Sequence, residues 1–132
     1  MEPALATFGK LIGLCFAATM PSGVHDTHCF SQLYGAHVRD THVVRRDNVP
    51  IYQGESTYSE TPEGIEFTYL SSLGGSGRGT LRVEGDVLTF DMTMRADASS
   101  PAMPIHSVWR LTGDGYDVET PGQPALHFGL VR

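Results

Sequence analysis

The sequence predicts an all-β fold, a roughly ten-stranded antiparallel up-and-down barrel with a short N-terminal helix. Three observations lead there. Beyond residue 13 the apolar side chains recur at every second position, the period of a half-buried strand. Short clusters of Gly, Pro, Asp and Asn separate these segments and read as tight turns. The apolar residues of successive segments also fall on one continuous face. An open sheet of that length would leave the face wet, and no second helix is present to cover it, so the sheet must curl shut.

The elements follow in order. Leu5, Phe8, Leu11 and Ile12 have helical spacing, which predicts a short amphipathic helix over Pro3–Gly13. Strands are expected at Leu14–Thr19, Val24–Tyr34, Ala36–Asp47, Ile51–Ser59, Ile65–Leu73, Gly79–Glu84, Val87–Arg95, Ile105–Thr112, Tyr116–Glu119 and Ala125–Val131. The stretch Gly74-Gly75-Ser76-Gly77 is read as a mobile hairpin. It lacks the Gly-Lys-Ser/Thr ending and the following helix of a phosphate loop, and Arg78 stands where a nucleophile elbow needs Gly. Leu11–Met20 has the size of a signal-peptide h-region, but Glu2 and a lone Lys10 make a poor basic flank and the run is too short to span a bilayer, so it is assigned to the fold.

Register can be read from turn midpoints, because opposed residues in a hairpin are equidistant from its turn and share a face. Cys15 and Cys29 centre on Ser22, His28 and His42 on Gly35, His42 and Gly54 on Asn48, and Gly54 and Tyr69 on the Thr61-Pro62 bond. One face then collects Phe16, His28, Phe30, His42, Tyr52, Tyr58, Phe67 and Tyr69, continuing through Leu81, Phe90, Met92, Met94, Trp109, Tyr116 and Phe128. Opposed on adjacent strands, Cys15 and Cys29 can form a disulfide in an oxidising compartment. The expected location is therefore periplasmic or secreted, with the cytoplasm as the alternative.

This pattern resembles the lipocalin-like, or calycin, barrels: an N-terminal helical segment, a first strand entered through Gly13-Leu14-Cys15-Phe16, then hairpins to the C-terminus. Classical lipocalins carry Gly-x-Trp there, whereas Cys15 occupies the Trp position and the sole Trp is Trp109. Asp26-x-His28-Cys29-Phe30, Arg39-Asp40-x-His42, Tyr52-x-Gly54-Glu55 and Tyr69-x-Ser71-x-x-Gly74-Gly75 also resemble uncharacterised bacterial exported proteins, a likeness that implies no activity.

Nine Lys plus Arg against fifteen Asp plus Glu give a net charge of −6, and the basic residues are scattered, which argues against nucleic acid and anionic membranes as partners. Membrane insertion is not expected, and a homodimer stays open. His25-Asp26-Thr27-His28 and Arg39-Asp40-Thr41-His42 are near-copies on neighbouring strands, so His28, His42 and Tyr69 form a polar row on an otherwise apolar face. The row either satisfies itself in the wall, or ligates a metal, or supplies a general acid–base pair oriented by Asp26 or Asp40. No motif names a cofactor, and no CxxC knuckle is present. The expected function is binding of a small, largely apolar molecule against Phe67, Tyr52, Tyr58, Phe90, Met92, Met94 and Trp109, with His28, His42 and Tyr69 as polar anchors; were the barrel catalytic, His28, His42, Tyr69 and Asp40 would be its catalytic residues. The alternative is a small barrel enzyme, an isomerase, cyclase or hydrolase.

Overall fold

A computed structural model describes residues 3–132 and shows ten antiparallel strands in a closed barrel. They are β1 (Cys15–Thr19), β2 (His25–Leu33), β3 (His37–Arg46), β4 (Val49–Thr61), β5 (Gly64–Ser71), β6 (Ser76–Glu84), β7 (Val87–Arg95), β8 (Met103–Leu111), β9 (Gly115–Glu119) and β10 (Leu126–Leu130). Each strand pairs with its sequence neighbours. The ring closes where β1 meets β10 through Phe16↔Leu130 and Ala17↔Gly129, and Val131 N–H donates to Cys15 C=O at 2.9 Å. No helix among the described residues is long and apolar enough to cross a membrane.

The first three hairpins have the register that the turn midpoints predict: Cys15↔Cys29, His28↔His42 and His42↔Gly54. The fourth differs. Gly54 faces Ser71 and Tyr69 faces Ser56, because only Pro62 and Glu63 form the loop and Thr61 pairs with Gly64. Pro at the second and Gly at the fourth position of this turn are the preferences of a type I turn. The midpoint moves by one residue and the partners by two, so every side chain keeps its expected face. The Gly-rich stretch is also corrected: β6 begins at Ser76, three residues before the expected Gly79, so Gly77 joins Gly79 as a strand residue, opposite Met94 and Met92 respectively. A Cβ on Gly77 would collide with Met94 Sδ, and one on Gly79 with the Asp91 carbonyl. Their glycine identity therefore serves packing across the sheet rather than a turn.

The expected N-terminal helix is present as a 3-10 helix, η1 (Pro3–Lys10), and ends before Gly13. Leu5, Phe8 and Leu11 are buried. Phe8 packs on Tyr58 with ring centroids 4.8 Å apart, and Lys10 Nζ reaches Asp86 Oδ1 at 2.7 Å. Those contacts place η1 across the barrel end that carries the β4–β5 and β6–β7 turns. Behind this plug the interior is solid, with Phe16, Phe30, Val38, Ile65, Leu81, Leu88, Tyr116 and Phe128 in one cluster. Tyr116 is stacked between Trp109 and Phe128, with centroids at 4.5 and 5.0 Å.

Cys15 and Cys29 are joined by a disulfide with a Cα separation of 4.1 Å. Phe30 N–H donates to Leu14 C=O at 3.1 Å, which makes Cys15 and Cys29 a non-hydrogen-bonded pair, the closer type in an antiparallel ladder. Closing a loop of this length stabilises by about 3 kcal/mol through the entropy removed from the unfolded chain.

Among the described residues, two buried side-chain atoms lack a hydrogen-bond partner, Glu60 Oε2 and Tyr116 Oη. Tyr116 has no solvent exposure, and an unsatisfied buried hydroxyl costs about 1–3 kcal/mol. Tyr116→Phe keeps the stacked ring and removes the orphan, so the urea midpoint should rise, by about 1 kcal/mol in stability. A fall would mean that the hydroxyl is satisfied by a buried water.

Candidate functional site

Side chains at even positions of β2 and β3 point inward, and the copied motif therefore sends two carboxylates and two imidazoles into the barrel together. Asp26, Asp40 and His42 are buried. The His28 and His42 rings stack with centroids 4.7 Å apart and an interplanar angle of 19°. His28 donates from Nδ1 to both carboxylate oxygens of Asp40, at 2.8 and 2.9 Å, and from Nε2 to Asp26 Oδ2 at 3.0 Å. His42 Nδ1 donates to Asp26 Oδ1 at 3.0 Å, and its Nε2 accepts from the Tyr69 hydroxyl at 2.7 Å.

The last bond crosses β4, because Tyr69 is on β5 and His42 on β3. It depends on Gly54, the β4 residue opposite His42. A Cβ there would lie 2.6 Å from His42 Nε2 and closer still to the Tyr69 hydroxyl. The missing side chain is thus the gap through which the phenol reaches the imidazole.

Electrostatics follow from this enclosure. Burial alone would pull the His28 imidazole down, but the adjacent Asp40 charge and hydrogen bonds to both carboxylates outweigh it and carry the group from its ordinary 6.5 to about 10. His28 is accordingly an imidazolium at neutral pH. Burial pushes the Asp26 carboxyl up, while hydrogen bonds from His28 and His42 push it down more strongly and hold it well below the usual carboxylate range. Burial, with Tyr52 and Asp26 nearby, drives the Tyr69 phenol up to about 12, so it is a proton donor and not a phenolate.

Beside this polar cluster lies an interior cavity of about 600 Å³, which Asp26, His28, Asp40 and His42 help to line. Tyr52, Tyr58, Phe67, Phe90, Met92, Met94, Ile105 and Trp109 line its wall, and Leu73, Pro101 and Met103 its rim. The rim belongs to the β5–β6 and β7–β8 connections, at the end opposite η1. All the ligand-lining residues expected from the sequence face this space, as do His28, Asp40, His42 and Tyr69. Gly54 leaves the space beside His42 that the register implies; two features go beyond the sequence reading, the bridging of both imidazoles by Asp26 and the rim, where Arg95 donates to the Ser100 carbonyl. The Asp26 signal was present in the repeated Asp-Thr-His motif. The rim gave none, since its loop has no periodicity. A larger depression of about 930 Å³ lies on the outer wall, lined by Thr57, Thr68, Arg78, Thr80, Thr93 and His106. It is open to solvent and holds no comparable cluster.

No protein-family model and no curated protein matches this sequence. Among solved structures, the chain is similar to Rv2717c from M. tuberculosis, a crystal structure, with a TM-score of 0.64 and 18% sequence identity over 100% of this chain and 99% of that one. At that identity the similarity shows a shared fold.

Proposed function

We propose that this protein is a lipocalin-like binding protein that holds a small, largely apolar molecule in its interior cavity, with the polar end of that molecule against His28, His42 and Tyr69. One observation carries the reading: a largely apolar space of about 600 Å³ is lined on one side by a hydrogen-bonded cluster of Asp26, His28, Asp40, His42 and Tyr69. Ligand pockets typically pair an apolar wall with a few convergent polar groups in this way. The disulfide supports a periplasmic or secreted location.

The sole Trp, Trp109, lines the cavity and reports on it directly. Titration with the neutral dye N-phenyl-1-naphthylamine should quench Trp109 emission in a saturable, one-to-one manner. Met92→Trp, which fills the space, should weaken dye binding at least tenfold with an unchanged far-UV spectrum. Equal dye binding by both proteins would refute the interior location.

A second reading is favoured by the linkage Tyr69–His42–Asp26, with hydrogen bonds of 2.7 and 3.0 Å. It has the connectivity of a proton relay, in which a carboxylate orients an imidazole that exchanges a proton with a hydroxyl facing the substrate. In that reading the barrel is an isomerase, cyclase or hydrolase. His42→Gln would then abolish turnover of a bound substrate while leaving its affinity unchanged.

A further inference from the structure

We propose that Asp26, His28 and His42 form a binding site for one divalent first-row transition-metal ion. Each offers one ligand atom, and the three atoms lie within 4.8 Å of one another. Two imidazole nitrogens and one carboxylate on one side of an ion, with the remaining positions open, is a donor set suited to iron, cobalt or zinc. Bonds of about 2.0–2.2 Å to such ions place neighbouring donors about 3 Å apart. Here His28 Nε2 lies 3.0 Å from Asp26 Oδ2 and His42 Nδ1 lies 3.0 Å from Oδ1, the two oxygens of one carboxylate, and rotation of the two stacked rings closes the three donors, now within 4.8 Å of one another, onto one ion.

The outer partners of the imidazoles support the same assignment. A histidine that ligates a metal usually donates its other N–H to a carboxylate or a comparable acceptor, which fixes its ring. His28 Nδ1 does so to Asp40 at 2.8 and 2.9 Å. His42 Nε2 lies 2.7 Å from the Tyr69 hydroxyl, a group that can donate or accept. The ion binds His28 Nε2 and His42 Nδ1: His28 gives its Nε2 proton to solvent, and the His42 proton moves from Nδ1 to Nε2, from which the ring donates a hydrogen bond to the Tyr69 oxygen.

Gly54 is an independent indication. Without a side chain on β4, Tyr69 reaches across a strand to the outer nitrogen of His42, an arrangement that aims the inner nitrogen at Asp26. The open face of the site is toward the cavity, since all three residues line it. The inference goes beyond apolar ligand binding and does not require it.

Cobalt(II) is the probe. Chelator-treated protein should bind one Co²⁺ per chain with visible d–d absorption, and its proton NMR spectrum should show two shifted, solvent-exchangeable imidazole N–H signals. Asp26→Asn should weaken binding at least 100-fold, and Tyr69→Phe about tenfold, the usual effect of losing an outer partner. His127→Asn, at an outer-wall pair with Asp117, should change nothing. Absence of saturable binding by the unmodified protein, or binding lost with His127→Asn and kept with Asp26→Asn, would overturn the site. If Asp26→Asn does not fold, the two imidazole signals of the unmodified protein decide. Dye binding that persists where Co²⁺ binding fails removes the ion alone, and the reverse outcome removes the apolar ligand alone.

Discussion

Asp40→Ala should destabilise the protein by about 3–5 kcal/mol, the range seen when one partner of a buried ion pair is removed. Asp40 is buried and accepts two hydrogen bonds from His28 Nδ1. Its loss leaves an imidazolium in the barrel with one N–H unpaired and only Asp26 to balance its charge. For a chain of this size that loss lowers the melting temperature by about 10–20 °C. Asp40→Asn keeps an acceptor oxygen and should cost clearly less. Thermal unfolding of the two variants measures both effects. A loss under about 1 kcal/mol for Asp40→Ala would show that His28 is neutral in the folded protein.

Phe90→Ala is expected to have a comparable effect, about 3–5 kcal/mol, by a different mechanism. Phe90 is 2% exposed and sits where the solid half of the barrel meets the cavity. Its ring packs on Trp109 at 4.6 Å, Phe67 at 5.8 Å and Tyr58 at 6.2 Å. Truncation removes the transfer energy of the ring and leaves a void that stiff strands cannot close. It also joins that void to the existing cavity. Urea unfolding should show the lower midpoint, while N-phenyl-1-naphthylamine binding should be kept or strengthened. Loss of stability together with loss of dye binding would indicate a collapsed interior.

These effects rest on positions that the sequence made legible to different degrees. Alternation in β2 and β3 and the turns around Ser22, Gly35 and Asn48 are enough to bring His28 and His42 together, because a short turn leaves one workable register. Thr61-Pro62-Glu63-Gly64 contains four turn-forming residues and does not say which two form the loop, so Tyr69 was placed opposite Gly54 instead of Ser56. Period two protects the face from that error and not the partner. Gly77, expected in the hairpin, is a strand residue like Gly79 for a related reason. Glycine signals freedom in a loop and close approach in a strand alike, and only the neighbours Met94 and Asp91 distinguish the two. The Leu5, Phe8 and Leu11 spacing showed a buried helical face. Its 3-10 geometry and the barrel end it covers depend on contacts with distant strands, which local pattern does not encode.

The position of η1 has a kinetic consequence. Leu5, Phe8 and Leu11 stop one end of the barrel, so the cavity is a blind sac with one mouth. An occupant must leave by the path it entered, and its residence time is governed at that mouth by the β5–β6 and β7–β8 connections rather than by the wall that holds it. Entry and exit would then share one set of contacts, so a change at that mouth would alter both rates together and leave the equilibrium affinity to the wall.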